Sequence, residues 1–221
     1  MKTLILNSFP YHKSNKNNST MKKIILDAGH GINTPGKRSP DGRFREYRFN
    51  RIIVNAIAEH LRLRGYDVEI LVPEDEDIPL PERVRRANKL TCRIGHPVQD
   101  TIIVSIHANA AGNGSNWMKA RGWCAYTCQG HTLSDELATC LYDAAKKYLS
   151  GQRIRTDYTD GDPDFEAQFY LLRNTYAAAV LTENCFYDNA DDLRFLESEE
   201  GQKAIVALHV EGIINFLKSE N

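Results

Sequence analysis

The 221-residue chain predicts an α/β fold, a single domain whose mostly parallel central sheet is flanked by helices on both faces. Three observations carry that prediction. From Met21 onward, strand-like and helix-like patterns alternate along the chain. Thr101–Ile106 is a nearly unbroken apolar, β-branched run of the kind that a parallel sheet buries on both faces. Glu46–Arg64 repeats apolar residues at three- and four-residue steps, which gives a helix one buried face.

Taken in order, Ile24–Leu26 is a short buried strand, ended by Gly29 and Gly31 around His30. The segment from Gly31 to Arg45 carries Pro35, Gly36, Pro40 and Gly42 among polar residues and reads as an exposed loop. Phe49, Ile52, Ile53, Ala56, Ile57 and Leu61 form the buried stripe of the following helix, which Gly65 closes. Tyr66–Val72 alternates as a strand, Pro73–Asp77 is an acidic loop, and Leu80–Leu90 is a second helix. After Thr101–Ile106 come a loop at Gly112–Arg121 and a strand at Gly122–Thr127. Ser134 is placed to cap a helix running to about Leu149, with Asp135 and Glu136 in its first turn. Ser150–Glu166 is polar with little periodicity, Ala177–Leu181 is the last core strand, and Glu200–Leu217 is a closing amphipathic helix. No internal repeat or linker to a second module interrupts this order.

The totals exclude some classes of partner. With 28 basic and 29 acidic residues the chain has no strong field, so neither nucleic acid nor membrane insertion is expected. Five cysteines (92, 124, 128, 140 and 185) form no pattern, and Cys124 and Cys128 sit about 13 Å apart along a strand, too far for a disulfide or a shared metal. Such cysteines read as buried, inert thiols of a chain folded in reducing cytoplasm. Residues 1–20 read as a polar, flexible extension, and 21–221 as the folded domain. Leu4-Ile5-Leu6 is the only apolar cluster in the extension, well short of the roughly 7–15 residues a secretory signal needs. Synthesis in the cytoplasm without a signal peptide is therefore expected, and no stretch is long enough to span a bilayer.

Chemistry concentrates at four positions: His30, Glu46, His107 and Glu183 each stand where a strand ends or a helix begins. Ligands of open α/β sheets collect beyond the carboxyl ends of the strands. Two imidazoles and a carboxylate meeting there form the ligand set of a catalytic zinc site, and a further carboxylate can shuttle protons. Each residue also has a bland reading. A histidine between glycines is ordinarily solvated, though Gly29 and Gly31 leave room for a ligand. His107 ends an apolar strand, where a satisfied boundary histidine is common. Glu46 starts a helix, where the macrodipole favours any carboxylate. Glu183 follows a run of small apolar residues, an expensive place for an unpartnered charge. The remaining histidines (His12, His60, His96, His131 and His209) read as structural or solvated.

Several motifs then occur in a familiar order. They are Leu-Asp-Ala-Gly-His-Gly at 26–31, Glu46 before a long helix, Ser-Ile-His-Ala-Asn-Ala at 105–110, and Glu-Asn-Cys-Phe-Tyr-Asp-Asn at 183–189, with Arg83–Asn88 and Phe169–Asn174 between. Over Lys22–Leu217 the chain resembles the zinc-dependent N-acetylmuramoyl-L-alanine amidases of the type-3 kind, found among bacterial autolysins and phage endolysins. The resemblance implies a phosphorylase/hydrolase-like sheet, zinc held by His30, Glu46 and His107, and Glu183 as catalytic acid–base. It offers Asp27 and Asn109 as residues that orient the ligating rings. The substrate it implies is peptidoglycan or a muropeptide, cut at the amide between the lactyl group of N-acetylmuramic acid and L-alanine. Ile32, where the family often has glycine, predicts an altered cleft rim, and Cys185 stands where the family often has a small residue. Two other readings compete: a zinc exopeptidase acting on ordinary peptides, and a non-catalytic wall-binding module. The intact set of four residues argues against the second.

Overall fold

Alternate residues of a strand face opposite ways, so the run Ile24-Ile25-Leu26 requires apolar cover on both sides. A computed structural model, describing residues 23–92 and 100–219, supplies that cover. The expectations for residues 1–20, His12 and His96 lie outside the described residues. Elements follow in the order β1 (Lys23–Ala28), α1 (Glu46–Arg62), β2 (Asp67–Ile70), α2 (Leu80–Thr91), β3 (Thr101–Asn109), β4 (Cys124–Thr127), α3 (Leu133–Tyr148), β5 (Phe165–Glu166), α4 (Tyr170–Asn174), β6 (Ala178–Phe186), α5 (Ala190–Glu197) and α6 (Glu199–Ser219).

The sheet has strand order β2-β1-β3-β6-β4-β5. The pairs β1–β2, β1–β3, β3–β6 and β4–β5 are parallel, and β4 runs antiparallel to β6. Ile24, Leu26, Ile102, Val104 and Val180 face a core completed by Ile53 and Ile57 of α1, Leu137 and Leu141 of α3, and Ile205 and Phe216 of α6. Ile25, Ile103, Ala179 and Leu181 point the other way, onto Ala87 of α2 and Leu171 and Leu172 of α4. Full burial of one such side chain contributes about 1.5–3 kcal/mol. Helix α1 ends as its sequence dictates: Gly65 takes φ +86° and its N–H donates to the Arg62 carbonyl.

Three expectations need correction. The helix cap is Thr132, whose hydroxyl accepts the Ser134 N–H at 3.1 Å while Asp135 returns a bond to the Thr132 N–H. A carboxylate three residues on completes a capping box for Thr132, whereas Ser134 is followed at that spacing by Leu137. Ser134 instead accepts the Ala179 N–H at 3.0 Å. Strands β3 and β6 also continue past Ile106 and Leu181, through His107 and Glu183, because these polar residues pair across the two strands. Finally, Cys92 is exposed and Cys128 and Cys140 are half-buried, so only Cys124 and Cys185 are buried thiols; all five are free. The polar 150–166 stretch ends in β5, and α5 follows Asn189, whose side chain accepts two N–H groups of its first turn.

Candidate active site

The site is assembled where β1, β3 and β6 approach their carboxyl ends beside the start of α1. At the end of β1 the Gly29 N–H donates to the Ile106 carbonyl at 3.0 Å, and Asn50 of α1 donates to the Gly29 carbonyl at 3.1 Å. His30 then takes φ +62°, a left-handed conformation uncommon for a residue with a side chain. Buried Arg83 holds that turn, donating to the carbonyls of Ala28 (2.7 Å) and His30 (3.2 Å) while pairing with Asp27 (2.8 Å) and Asp77 (2.9 Å). Gly29 has a sharper purpose than admitting a ligand. A Cβ there would sit 2.2–2.5 Å from the His107 ring, so glycine lets that ring lie directly on the β1 backbone.

Glu46 is 1% exposed although it opens a helix. Its Oε1 lies 3.1 Å from His107 Nδ1 and 3.3 Å from His30 Nε2, and accepts the Ala108 N–H at 3.3 Å. Its Oε2 has no hydrogen-bond partner, with Lys37 Nζ 3.9 Å away. The two imidazoles meet edge to face, centroids 4.9 Å apart. One ligand atom each from His30, Glu46 and His107 lies within 4.8 Å of the others, close enough to share a metal ion. Burial alone would raise the Glu46 carboxyl, but its bonds to His107 and His30 outweigh this and hold it well below the usual carboxylate range. Burial lowers His30; for His107 the bond to Glu46 overcomes burial and raises it.

Glu183 stands opposite His107 in the β3–β6 register. Its Oε2 is buried without a hydrogen-bond partner, and burial pushes its pKa up to about 7. Beyond it β6 bulges: Asn109 pairs with Phe186, and Cys185 takes φ +64°. The extra residue turns Phe186 to the face that carries Glu183. There Arg155, a residue the sequence did not single out, stacks on Phe165 (5.4 Å) and Phe186 (5.2 Å), with Nη1 3.7 Å from the sulfur of Cys124, the cross-strand partner of Glu183.

The opposite face of β6 holds a closed polar chain. Asn184 donates to the His107 carbonyl (2.9 Å) and to Thr182 Oγ1 (3.2 Å), and accepts the Trp123 indole N–H (3.0 Å). Thr182 Oγ1 lies 2.9 Å from His209 Nε2, while His209 Nδ1 is 2.7 Å from the Ile205 carbonyl. A carbonyl only accepts, so Nδ1 carries the proton and Nε2 receives the threonine hydroxyl. Burial drives the His209 pKa down to about 4. Among the described residues, neither Asp27 nor Asn109 hydrogen-bonds to either imidazole, though the Asp27 charge favours protonation of His107. Asp27 accepts from Arg83 and Ser105 (2.5 Å), and Asn109 accepts the N–H groups of Ala110 and Tyr187.

Residues 24–215 match the Amidase_3 family, described as N-acetylmuramoyl-L-alanine amidase. The chain belongs to this family. The amidase is 29% identical over 202 residues to the endolysin of Bacillus phage SPP1, covering 89% of this chain and 67% of that one. It is 26% identical over 196 residues to an N-acetylmuramoyl-L-alanine amidase of Bacillus licheniformis, covering 87% and 68%. Among solved structures, the N-acetylmuramoyl-L-alanine amidase of Clostridium difficile 630 superposes with a TM-score of 0.75 at 26% identity, over 92% of this chain and all of that one. The AmiC2 amidase of Nostoc punctiforme shares the fold, with a TM-score of 0.74 at 23% identity over 90% and 99%. Among the described residues no helix is long and apolar enough to cross a membrane.

Proposed function

We propose that this amidase is a zinc enzyme in which His30, Glu46 and His107 hold the ion and Glu183 carries the proton. Its substrate is peptidoglycan or a soluble muropeptide, cut between N-acetylmuramic acid and L-alanine. The observation that carries this reading is the convergence of two ring nitrogens and one carboxylate oxygen within 4.8 Å, with Glu183 across the strand pair. The donors suit zinc: two nitrogens and an oxygen from three side chains are a usual catalytic set. The orphaned buried Oε2 atoms of Glu46 and Glu183 fit a site built around a cation and a polar substrate.

When bound, zinc supplies Lewis-acid polarisation of the scissile carbonyl and acidifies the attacking water. Glu183 accepts a proton from that water as its oxygen bonds to the carbonyl carbon. The same proton then passes to the alanine nitrogen, which leaves as an amine with the electron pair of the broken C–N bond. Glu183 suits both halves of that cycle because its Oε2 is buried with no protein hydrogen-bond partner, leaving that oxygen for the transferred proton. Glu46 stays ionised, as a ligand of the ion must. Arg155, packed against Phe165 and Phe186 beside this centre, is available to an anionic group of the stem peptide.

Product analysis of purified peptidoglycan tests the reading. New N-terminal alanine without new reducing sugar ends, abolished by a chelator and restored by zinc, is the expected result. Cleavage that persists after metal removal, or reducing ends as the main product, would sink it.

A further inference from the structure

We propose that Asp135, Asp162 and Asp164 hold a calcium ion that ties the 150–166 segment to the start of α3, apart from the catalytic cluster. Each aspartate offers an oxygen within 4.8 Å of the others. Calcium takes oxygen ligands at about 2.3–2.6 Å, so two ligands on opposite sides of one ion lie roughly 4.6–5.2 Å apart. The three carboxylates are therefore spaced as ligands of one such ion.

A second observation separates this cluster from a solvated acidic surface. Asp164 is 2% exposed, and its Oδ1 is buried with no hydrogen-bond partner; Asp162 Oδ1 is likewise buried and unpartnered. The Thr127 hydroxyl between Asp135 and Asp164 cannot serve both. Thr127 Oγ1 lies 2.6 Å from Asp164 Oδ2 and 2.9 Å from Asp135 Oδ1, but it has one proton to donate. Among the described residues no lysine or arginine pairs with any of the three; His131 Nδ1, exposed, is 3.7 Å from Asp162. Asp135 has another reason for its place, as the carboxylate of the α3 capping box, whereas Asp164 meets the Thr127 hydroxyl and Asp162 the exposed His131. Buried like charges are relieved by a counter-charge or by a shared proton, and burial beside Asp162 raises the Asp164 carboxyl; an all-oxygen set of this kind favours a hard cation over zinc. A cleft of about 710 Å³, lined by His131, Thr132, Asp135, Glu136 and Asp162, gives water and the ion a way in.

The test is thermal unfolding of the zinc-loaded protein with calcium or magnesium chloride added, beside Asp164→Asn and the less buried Asp162→Asn. Calcium roughly 100-fold above its dissociation constant raises the midpoint by about 5–10 °C, with one ion per chain by calorimetric titration. Both variants stay folded and lose this response. An unmoved midpoint up to about 10 mM calcium, roughly tenfold above the dissociation constants of the weakest protein calcium sites, overturns the proposal. So does an undiminished response in both variants, or an equal response to magnesium. A wild type indifferent to calcium together with a raised midpoint in Asp164→Asn would show that a shared proton, not a cation, neutralises the cluster.

Discussion

Glu183 and Asn184 are neighbours on one strand, yet they face opposite chemistry. Glu183 looks into the cluster of His30, Glu46 and His107, and one of its oxygens is buried with no partner. Asn184 looks into the core, where its amide bonds to His107, Thr182 and Trp123, and the chain of partners ends at a backbone carbonyl. A buried polar group without a partner is costly, so folds retain it where a ligand or reaction completes it. The satisfied face does the opposite work: it fixes the carbonyl of His107 and so the strand from which that ring projects. One face should therefore respond to mutation in activity and metal content, the other in stability.

The largest expected effect breaks the reactive face at its centre. Glu46→Gln removes the charge shared by both imidazoles, and we expect metal content and peptidoglycan hydrolysis to fall to background together while the circular dichroism spectrum is kept. Retained metal in that variant would remove Glu46 from the ligand set. The satisfied face is tested by pH. The His209 pKa falls from 6.5 in the unfolded chain to about 4 in the fold, so between these values the unfolded state binds more protons. The stabilisation is complete above about pH 6.5 and is lost as pH falls toward 4, by on the order of 3 kcal/mol. Denaturant titrations across that window should show the slope in wild type and its loss in His209→Gln. An identical slope in the variant would mean that the loss of stability arises elsewhere.

Smaller effects sharpen the boundary between the faces. Gly29→Ala places a methyl group within 2.5 Å of the His107 ring, which must shift. Metal affinity should weaken by about 10–100-fold, the range seen when the support of a ligand is disturbed. Unchanged affinity would show that the ring has room to spare. Arg155→Ala should raise KM by roughly tenfold with kcat nearly unchanged, as loss of one charged contact to substrate predicts. A fall in kcat at constant KM would assign Arg155 to the chemistry instead.

Much of this was legible in the sequence, for reasons that differ by residue. The strands around Ile25 and Ile103 and the stripe of α1 were readable because two-sided burial and helical burial leave different periods. His107 and Glu183 stood out because each ends an apolar run where a charge needs a reason, and His30 because glycines on either side leave room for a ligand. Asn184 and Arg155 did not: an asparagine beside a glutamate and an arginine in a polar stretch carry no local pattern. Their meaning comes from Trp123, Phe165 and Phe186, which the sheet brings near from distant positions. Asp162 and Asp164 were unreadable for the same reason, since Asp135 reaches them only through the fold. The buried pairing of Arg83 with Asp27, which fixes the His30 turn, spans 56 positions and has no local signature at all.

The most direct test is Glu183→Gln, measured for metal content and turnover in the same preparation. The account predicts an undiminished ion per chain, stability equal to or above wild type because a buried charge is gone, and kcat lower by about 10²–10⁴-fold. Turnover within about tenfold of wild type, a margin below general acid–base catalysis, would contradict it, as would loss of the metal along with the activity.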